Sequence, residues 1–247
     1  MTFPPGNSVQ FHQLIPIFLL SCLAPFATAQ ASQDWCARCH GNQPASGGDA
    51  SAPLLPAHYS MKWQMHEFKA SERPPHSKLP DSRVTTNGTT FYDADIPAMT
   101  EIYQERCIDI FPDGRNYACQ FLSVRDRTWL LKFKKSSQMT IDTCCLWRKD
   151  AFWAPRRDVI RTMKFDRHQD LKGRRTSWWV LSIPLPGPFG YGLHDDGTPA
   201  AFWFPVLSGW VQQEFSGFST ERPDPKVFQI PELCRQSHTT CEGDRAH

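Results

Sequence analysis

The sequence predicts a mainly β protein, an antiparallel sheet with one or two short helices, cross-linked by disulfides. Three observations carry this reading. Seventeen Phe, nine Trp and five Tyr fall in short runs punctuated by twenty-one Pro and fourteen Gly, a composition of strands and turns rather than of a helical bundle. The runs alternate apolar and polar residues, or are apolar throughout, at strand length. Nine cysteines accompany an export leader, the combination expected in an oxidising compartment.

The leader comes first. An apolar run over residues 14–26 ends in Ala27-Thr28-Ala29, a small-residue pattern that a signal peptidase accepts, so residues 1–29 read as a signal peptide and Gln30 as the mature N-terminus. The run is broken by Pro16 and Pro25 and falls short of the roughly 18 to 20 apolar residues that spanning a bilayer requires, as does every later stretch. The expected product is secreted and not an integral membrane protein. Leu19-Leu20-Ser21-Cys22 offers a competing reading, because it looks like a bacterial lipobox. Against it stands Asn87-Gly88-Thr89, an acceptor triplet for N-glycosylation that has meaning in a eukaryotic secretory pathway. A formal net charge of +2 gives the whole molecule no bias toward nucleic acid.

Residues 30–54 are polar and rich in Gly, Ser and Ala apart from Trp35 and two cysteines, and they read as an extended arm. A β domain follows over residues 55–233, and a tail over 234–247. Residues 61–66 alternate as a half-buried strand does, then slip at Glu67-Phe68, which suggests a bulge or a strand end. Pro74-Pro75 opens a loop running to Val84, and Asn87-Gly88 supplies a tight-turn signal that would place Asn87 on a surface turn. Further runs at 89–93, 99–110, 117–124, 128–133 and 138–144 describe an antiparallel meander. Pro155 stands where a first helical turn accepts proline, so a short helix is expected after it. Strands resume at 176–183, 191–194 and 199–204, the last two joined at Asp195-Asp196-Gly197, and at 210–218. Residues 227–231 close the domain.

Removing the leader takes Cys22 and leaves Cys36, Cys39, Cys107, Cys119, Cys144, Cys145, Cys234 and Cys241, an even number expected to pair fully. Neighbouring Cys144 and Cys145 are expected to bond to different partners, because a bond between them closes a strained eight-membered ring. Cys119 and Cys234 are the expected partners.

Taken in order, Phe91-Tyr92-Asp93, Cys107 and Cys119 on successive strands, the pair Cys144-Cys145, and the ending 223–231 before Cys234 resemble the ependymin-related and lipoprotein-carrier-like (LolA/LolB-like) group of secreted proteins. The resemblance spans about residues 55–234 and leaves the arm outside. It implies a strongly curved antiparallel sheet, a half-barrel, whose concave face holds an apolar cavity partly closed by helical or loop segments. It also implies a carrier or sensor of lipid-like molecules with no catalytic machinery.

The residues agree with a half-barrel on their own account. Trp129, Leu131 and Phe133 alternate onto one face of their strand, Trp178 and Val180 oppose Trp179, Leu181 and Ile183, and Phe202 and Phe204 oppose Trp203. Two apolar faces require a cover on the convex side too, from helices or a partner. Trp63, Met65, Trp129, Leu131, Phe133, Trp178 and Val180 are the expected ligand-binding residues. The alternative is an extracellular structural or adhesive protein whose concave face is filled by its own rings, since aromatic stripes commonly pack cores.

Other motifs weigh less. Cys36-Ala37-Arg38-Cys39-His40 has the spacing of a c-type haem attachment site, giving a second alternative of an exported haem protein, but the arm is too short for a haem domain and Met61 and Met65 fit strand alternation better. Disulfide use of both cysteines is the expectation, with no metal and no cofactor. Asp93 with Asp95, and Asp195 with Asp196, are carboxylate pairs at turns without a dedicated calcium loop. No nucleophile elbow, zinc-protease motif or phosphate loop occurs, and an enzyme is not expected. Residues 156–175 carry eight basic side chains and read as a solvated helix and loop that, on the resemblance, lies near a lid and could meet an anionic head group.

Overall fold

The computed structural model describes residues 52–108, 116–134, 140–149, 154–182, 187–237 and 239–241. The expected signal peptide, Cys22, and the Cys36-to-His40 motif lie outside the described residues. Eleven strands form one antiparallel sheet that does not close: β1 (His58–Lys69), β2 (Val84–Asp93), β3 (Ala98–Tyr103), β4 (Cys119–Val124), β5 (Arg127–Phe133), β6 (Ile141–Arg148), β7 (Lys164–Leu171), β8 (Arg174–Leu181), β9 (Phe189–His194), β10 (Pro199–Val206) and β11 (Gly209–Ser219). Their spatial order is β6-β5-β4-β3-β2-β1-β11-β10-β9-β8-β7. Two meanders, β1 to β6 and β7 to β11, are thus joined where the first strand pairs with the last. Three short 3-10 turns and one α-helix, α1 (Glu232–Gln236), complete the described elements. Among the described residues no helix is long and apolar enough to cross a membrane.

The meander and the hairpin at Asp195-Asp196-Gly197 are as the sequence predicts, with Gly197 at φ 79°. Two local readings are corrected. Asn87-Gly88 makes no turn but lies mid-strand in β2, with Gly88 directly across from Trp63 of β1. The glycine is there for close approach: a Cβ at Gly88 would collide with the Trp63 ring and the Ile102 carbonyl. Residues 156–175 are not a solvated helix and loop; a 3-10 turn (Val159–Thr162) leads into β7, which turns at Lys172-Gly173, both at positive φ, into β8. The closing residues 227–231 overlap a 3-10 turn (Pro225–Phe228).

The sheet curls strongly toward one face. Across the ladders, the side chains of Tyr59, Met61, Trp63 and Met65 share a face with Tyr103 and Phe121 on one side and with Phe215, Phe202, Tyr191 and Trp179 on the other. Tyr103 of β3 and Gln213 of β11 lie on that face three strand steps apart, about 14 Å in a flat sheet. Yet the Gln213 side-chain amide donates to the Tyr103 oxygen at 3.4 Å across that face. The face carrying these tyrosines is therefore the concave one.

Both faces are covered. On the concave side Val159, Ile160 and Met163, with Ala52 and Leu55 from the end of the arm, pack on Trp179, Tyr191 and Leu193. Arg157 and Arg161 hold the two segments together by donating to the carbonyls of Leu55 and Ala52. The convex side has two separate covers. Ile230 and Cys234 close over Leu122, Trp129, Leu131 and Cys144, while a strap over residues 70–83 lays Leu79 on Trp178, Trp203 and Trp210. Gln212 pins the strap, accepting from the His76 amide at 2.9 Å and donating to its carbonyl at 3.1 Å. Between the covers, Lys62, Gln64 and Ser216 face solvent.

Disulfides join Cys107 to Cys119, Cys144 to Cys234 and Cys145 to Cys241. Neighbouring cysteines do take different partners, and Cys234 is one of them. The other expected partner, Cys119, is corrected: on β4 its side chain shares the concave face, where the chain at Cys107 returns to it after β3. Cys145 instead fastens the C-terminal segment, whose Thr240 bridges Leu146 on the outer edge of β6.

Two outcomes are expected. Replacing Gly88 with Ala should cost about 2 to 3 kcal/mol of unfolding free energy through overpacking against Trp63, read by denaturant melts; an unchanged midpoint would contradict the packing. His66 is 1% exposed, with its Nε2 3.8 Å from the Glu214 carboxylate. Burial lowers its pKa from 6.5, against the raising effects of Glu214, the Pro80 carbonyl and Asp81, with Lys172 lowering it further. The folded protein therefore keeps His66 neutral where the unfolded chain protonates, so its contribution is full above about pH 6.5 and declines as pH falls toward the depressed folded value. His66→Gln should flatten the loss of Tm between about pH 7 and 5; an unaltered acid slope would contradict it.

Candidate functional site

The concave face is aromatic because each strand contributes a ring at alternate positions. Its floor is filled: Tyr59, Trp63, Tyr103 and Phe121 are fully buried, with Trp63 edge-on to Tyr103 at 4.7 Å between centroids. Toward β9, β10 and β11 the burial relaxes. Phe189, Phe202, Phe204 and Phe215 are only half-buried, and they touch in sequence, Phe189 to Phe202 at 5.7 Å and Phe202 to Phe204 at 5.2 Å. Tyr191 stands between Phe202 and Phe215, 5.9 Å from each. This strip is the candidate binding surface, with the Val159-to-Met163 segment at its β8–β9 end in the place of a lid.

Polar groups converge beneath the strip. Glu101, 7% exposed, accepts from the Tyr103 hydroxyl at 3.1 Å and the Thr90 hydroxyl at 3.3 Å, and Thr90 in turn accepts from the Trp63 indole at 3.0 Å. Gln213 donates to the Tyr103 oxygen. Tyr92 donates to the Pro155 carbonyl at 2.7 Å, which ties the floor to the lid segment. Burial raises the pKa of all four tyrosines, Tyr59, Tyr92, Tyr103 and Tyr191. They stay neutral at any physiological pH and serve as hydrogen-bonding groups rather than acids.

Of the sequence-predicted ligand residues, Trp63 and Met65 lie on this concave face. The others do not join them. Trp129 and Leu131 are on the convex face under the C-terminal cover, Trp178 and Val180 on the convex face under the strap, and Phe133 is buried at the end of β5. The physical reason is register: Leu122 opposite Trp129 and Gly192 opposite Trp178 carry those rings to the face away from Tyr103 and Tyr191. Alternation within a strand was legible; which parity turns inward was not. Tyr59, Tyr191, Phe215 and Glu101 were missed, although the opposition of Phe202 and Phe204 to Trp203 pointed at the correct strand.

Other candidates carry little. His58, Asp93 and Asp95 gather within metal-ligand reach, but Arg222 donates to Asp93 at 2.9 Å and lies 3.5 Å from Asp95, so a guanidinium already supplies the positive charge a cation would bring. Asp196 accepts from the Thr198 amide and pairs with Arg174, as a turn residue does. Within the basic segment Arg156 pairs with Asp158 and Arg167 with Asp166, Lys172 pairs with Glu214 and Arg174 with Asp196, while Arg157 and Arg161 are spent on backbone carbonyls. An open groove of about 410 Å³ runs beside the strap past Phe68, His76 and Leu79; its flanking Glu72 and Arg83 neutralise each other, and Arg83 holds the Glu72 carboxyl down at about 2. His168 and Ser177 lie 3.1 Å apart on the exposed surface of β7 and β8. Asn87 is half-buried and shares hydrogen bonds with Gln64 and Glu105.

No family model matches the chain, and no curated protein does. Among solved structures, an uncharacterized conserved protein from Thermus thermophilus is similar at 8% identity and a TM-score of 0.41, covering 82% of this chain and 96% of that one. A LolA-superfamily protein from Nitrosomonas europaea is similar at 9% identity and a TM-score of 0.30, over 72% of this chain and 92% of its own. The lipoprotein LppX from Mycobacterium tuberculosis is similar at 12% identity and a TM-score of 0.33, over 68% and 89%. The ependymin-related part of the resemblance is not shown by these three, and at these scores the functional reading rests on this chain's own geometry.

Proposed function

We propose that the mature chain is a secreted, glycosylated binding protein that holds an apolar or amphipathic, lipid-like molecule against the concave face, with residues 1–29 as its leader and Asn87 as its glycan acceptor. The observation that supports binding is the half-buried strip of Phe189, Phe202, Phe204 and Phe215 beside a floor that is otherwise sealed. Contiguous apolar surface left partly open at the mouth of a curved sheet is where ligands are taken up. Three disulfides fit an oxidising compartment. Burying an acyl chain is worth about 0.8 kcal/mol per methylene, so ten methylenes supply about 8 kcal/mol of gross driving force, from which the ordering costs of binding are subtracted. Non-covalent holding asks for no catalytic group.

The competing reading, an extracellular structural protein with a filled core, draws on the complete burial of Tyr59, Trp63 and Tyr103. A neutral fluorescent probe, N-phenyl-1-naphthylamine, separates the two. The carrier reading expects saturable binding that falls about 5- to 10-fold in Phe215→Ala, with the cooperative melt retained. Leu131→Arg should unfold the protein, because it buries a charge beneath the convex cover. Wild-type protein that binds no neutral apolar probe would leave the structural reading standing.

A further inference from the structure

The Tyr191 hydroxyl is buried with no hydrogen-bond partner, in a residue 8% exposed. Such an atom asks for an explanation, because an unpaired buried hydroxyl forfeits its water and receives nothing in return. Its position supplies one. Tyr191 is flanked by Phe202 and Phe215 of the open strip, and its phenol lies within electrostatic reach of Tyr59 and Tyr92. Tyr92 has already committed its proton to the Pro155 carbonyl. The Tyr191 hydroxyl is thus an unpaired donor on the inner side of the apolar strip.

We propose that Tyr191 donates to the ligand's single polar group, and that the ligand class is an uncharged apolar molecule with one oxygen acceptor, an alcohol or a carbonyl compound, rather than a fatty-acid anion. This rests on the binding function proposed above and adds to it the chemistry of the head. A hydroxyl or carbonyl oxygen accepts one O–H bond and leaves no net charge in the interior. A carboxylate must shed its hydration entirely, and a lone phenol O–H is poor compensation for an ion leaving water. A plain alkane gains the strip but leaves Tyr191 unpaired.

Binding of 1-decanol, decane and decanoate, followed by quenching of tryptophan emission, tests the assignment in wild type and in Tyr191→Phe. Wild type should bind 1-decanol at least about 10-fold more tightly than decanoate, and Tyr191→Phe should weaken 1-decanol about 5- to 10-fold while leaving decane unchanged. The variant also reports on the unliganded state: losing an unpaired hydroxyl should leave Tm unchanged or raised, whereas a hydroxyl with a structural partner would lower it. Equal 1-decanol affinity in the two proteins, or a lowered Tm in the variant, overturns the inference and leaves the carrier reading in place. A wild type that binds none of the three probes removes the carrier reading and the inference with it.

Discussion

The pairing of β1 with β11 constrains the rest of the molecule. Ser60 to Lys69 runs antiparallel to Gly209 to Ser219, so strands from opposite ends of the domain share a ladder and two independent meanders become one sheet. Long-range antiparallel pairing of this kind is slow to form and strongly specified once formed, because a slip of one residue would exchange Trp63 and Met65 for Lys62 and Gln64 on the buried face. Only with this ladder in register do Tyr103 from one meander and Gln213 from the other meet in the same concavity.

Curvature then decides which side chains fit. Large rings on strands need small residues across from them, and the sheet supplies these pairs: Gly88 opposite Trp63 and Gly190 opposite Trp203, each a position where a Cβ would strike the indole. The covers are local and light, a strap fixed by Gln212, a C-terminal segment fixed by two disulfides to β6, and a lid segment fixed by arginines and Tyr92. Two of the three disulfides act where the sheet ends, since β6 is an edge strand that would otherwise present unpaired backbone. The opposite edge, β7, is protected differently, by the charges of Lys164, Asp166, Arg167 and Asp170.

Those same devices mark the limits of what the residues reveal in one dimension. The β class, the antiparallel meander, the loop after Pro74-Pro75 and the hairpin at Asp195-Asp196-Gly197 follow from alternation and turn chemistry, the curvature is what the resemblance implied, and the structure has them. β7 was hidden because an edge strand polar on both faces shows no period. Asn87-Gly88 imitated a turn because the reason for its glycine, the ring of Trp63, lies on another strand. Inward parity was hidden because it depends on neighbours and on ladder irregularities at Met65/His66 and Lys132/Phe133, and so the most apolar alternations, Trp129 with Leu131 and Trp178 with Val180, turned out to serve the convex covers.

The functional account comes down to whether the open strip between Phe189 and Phe215 is a binding surface or merely the rim of a packed core. Geometry favours the first, because the rings there stay half-buried while a donor behind them goes unpaired. Native mass spectrometry of the protein purified from its own host without detergent tests this most directly. The account predicts a population carrying an added mass that dissociates on gentle activation and is extracted by organic solvent as an apolar molecule. A spectrum showing only the unliganded chain, with no apolar compound in the extract, would contradict it.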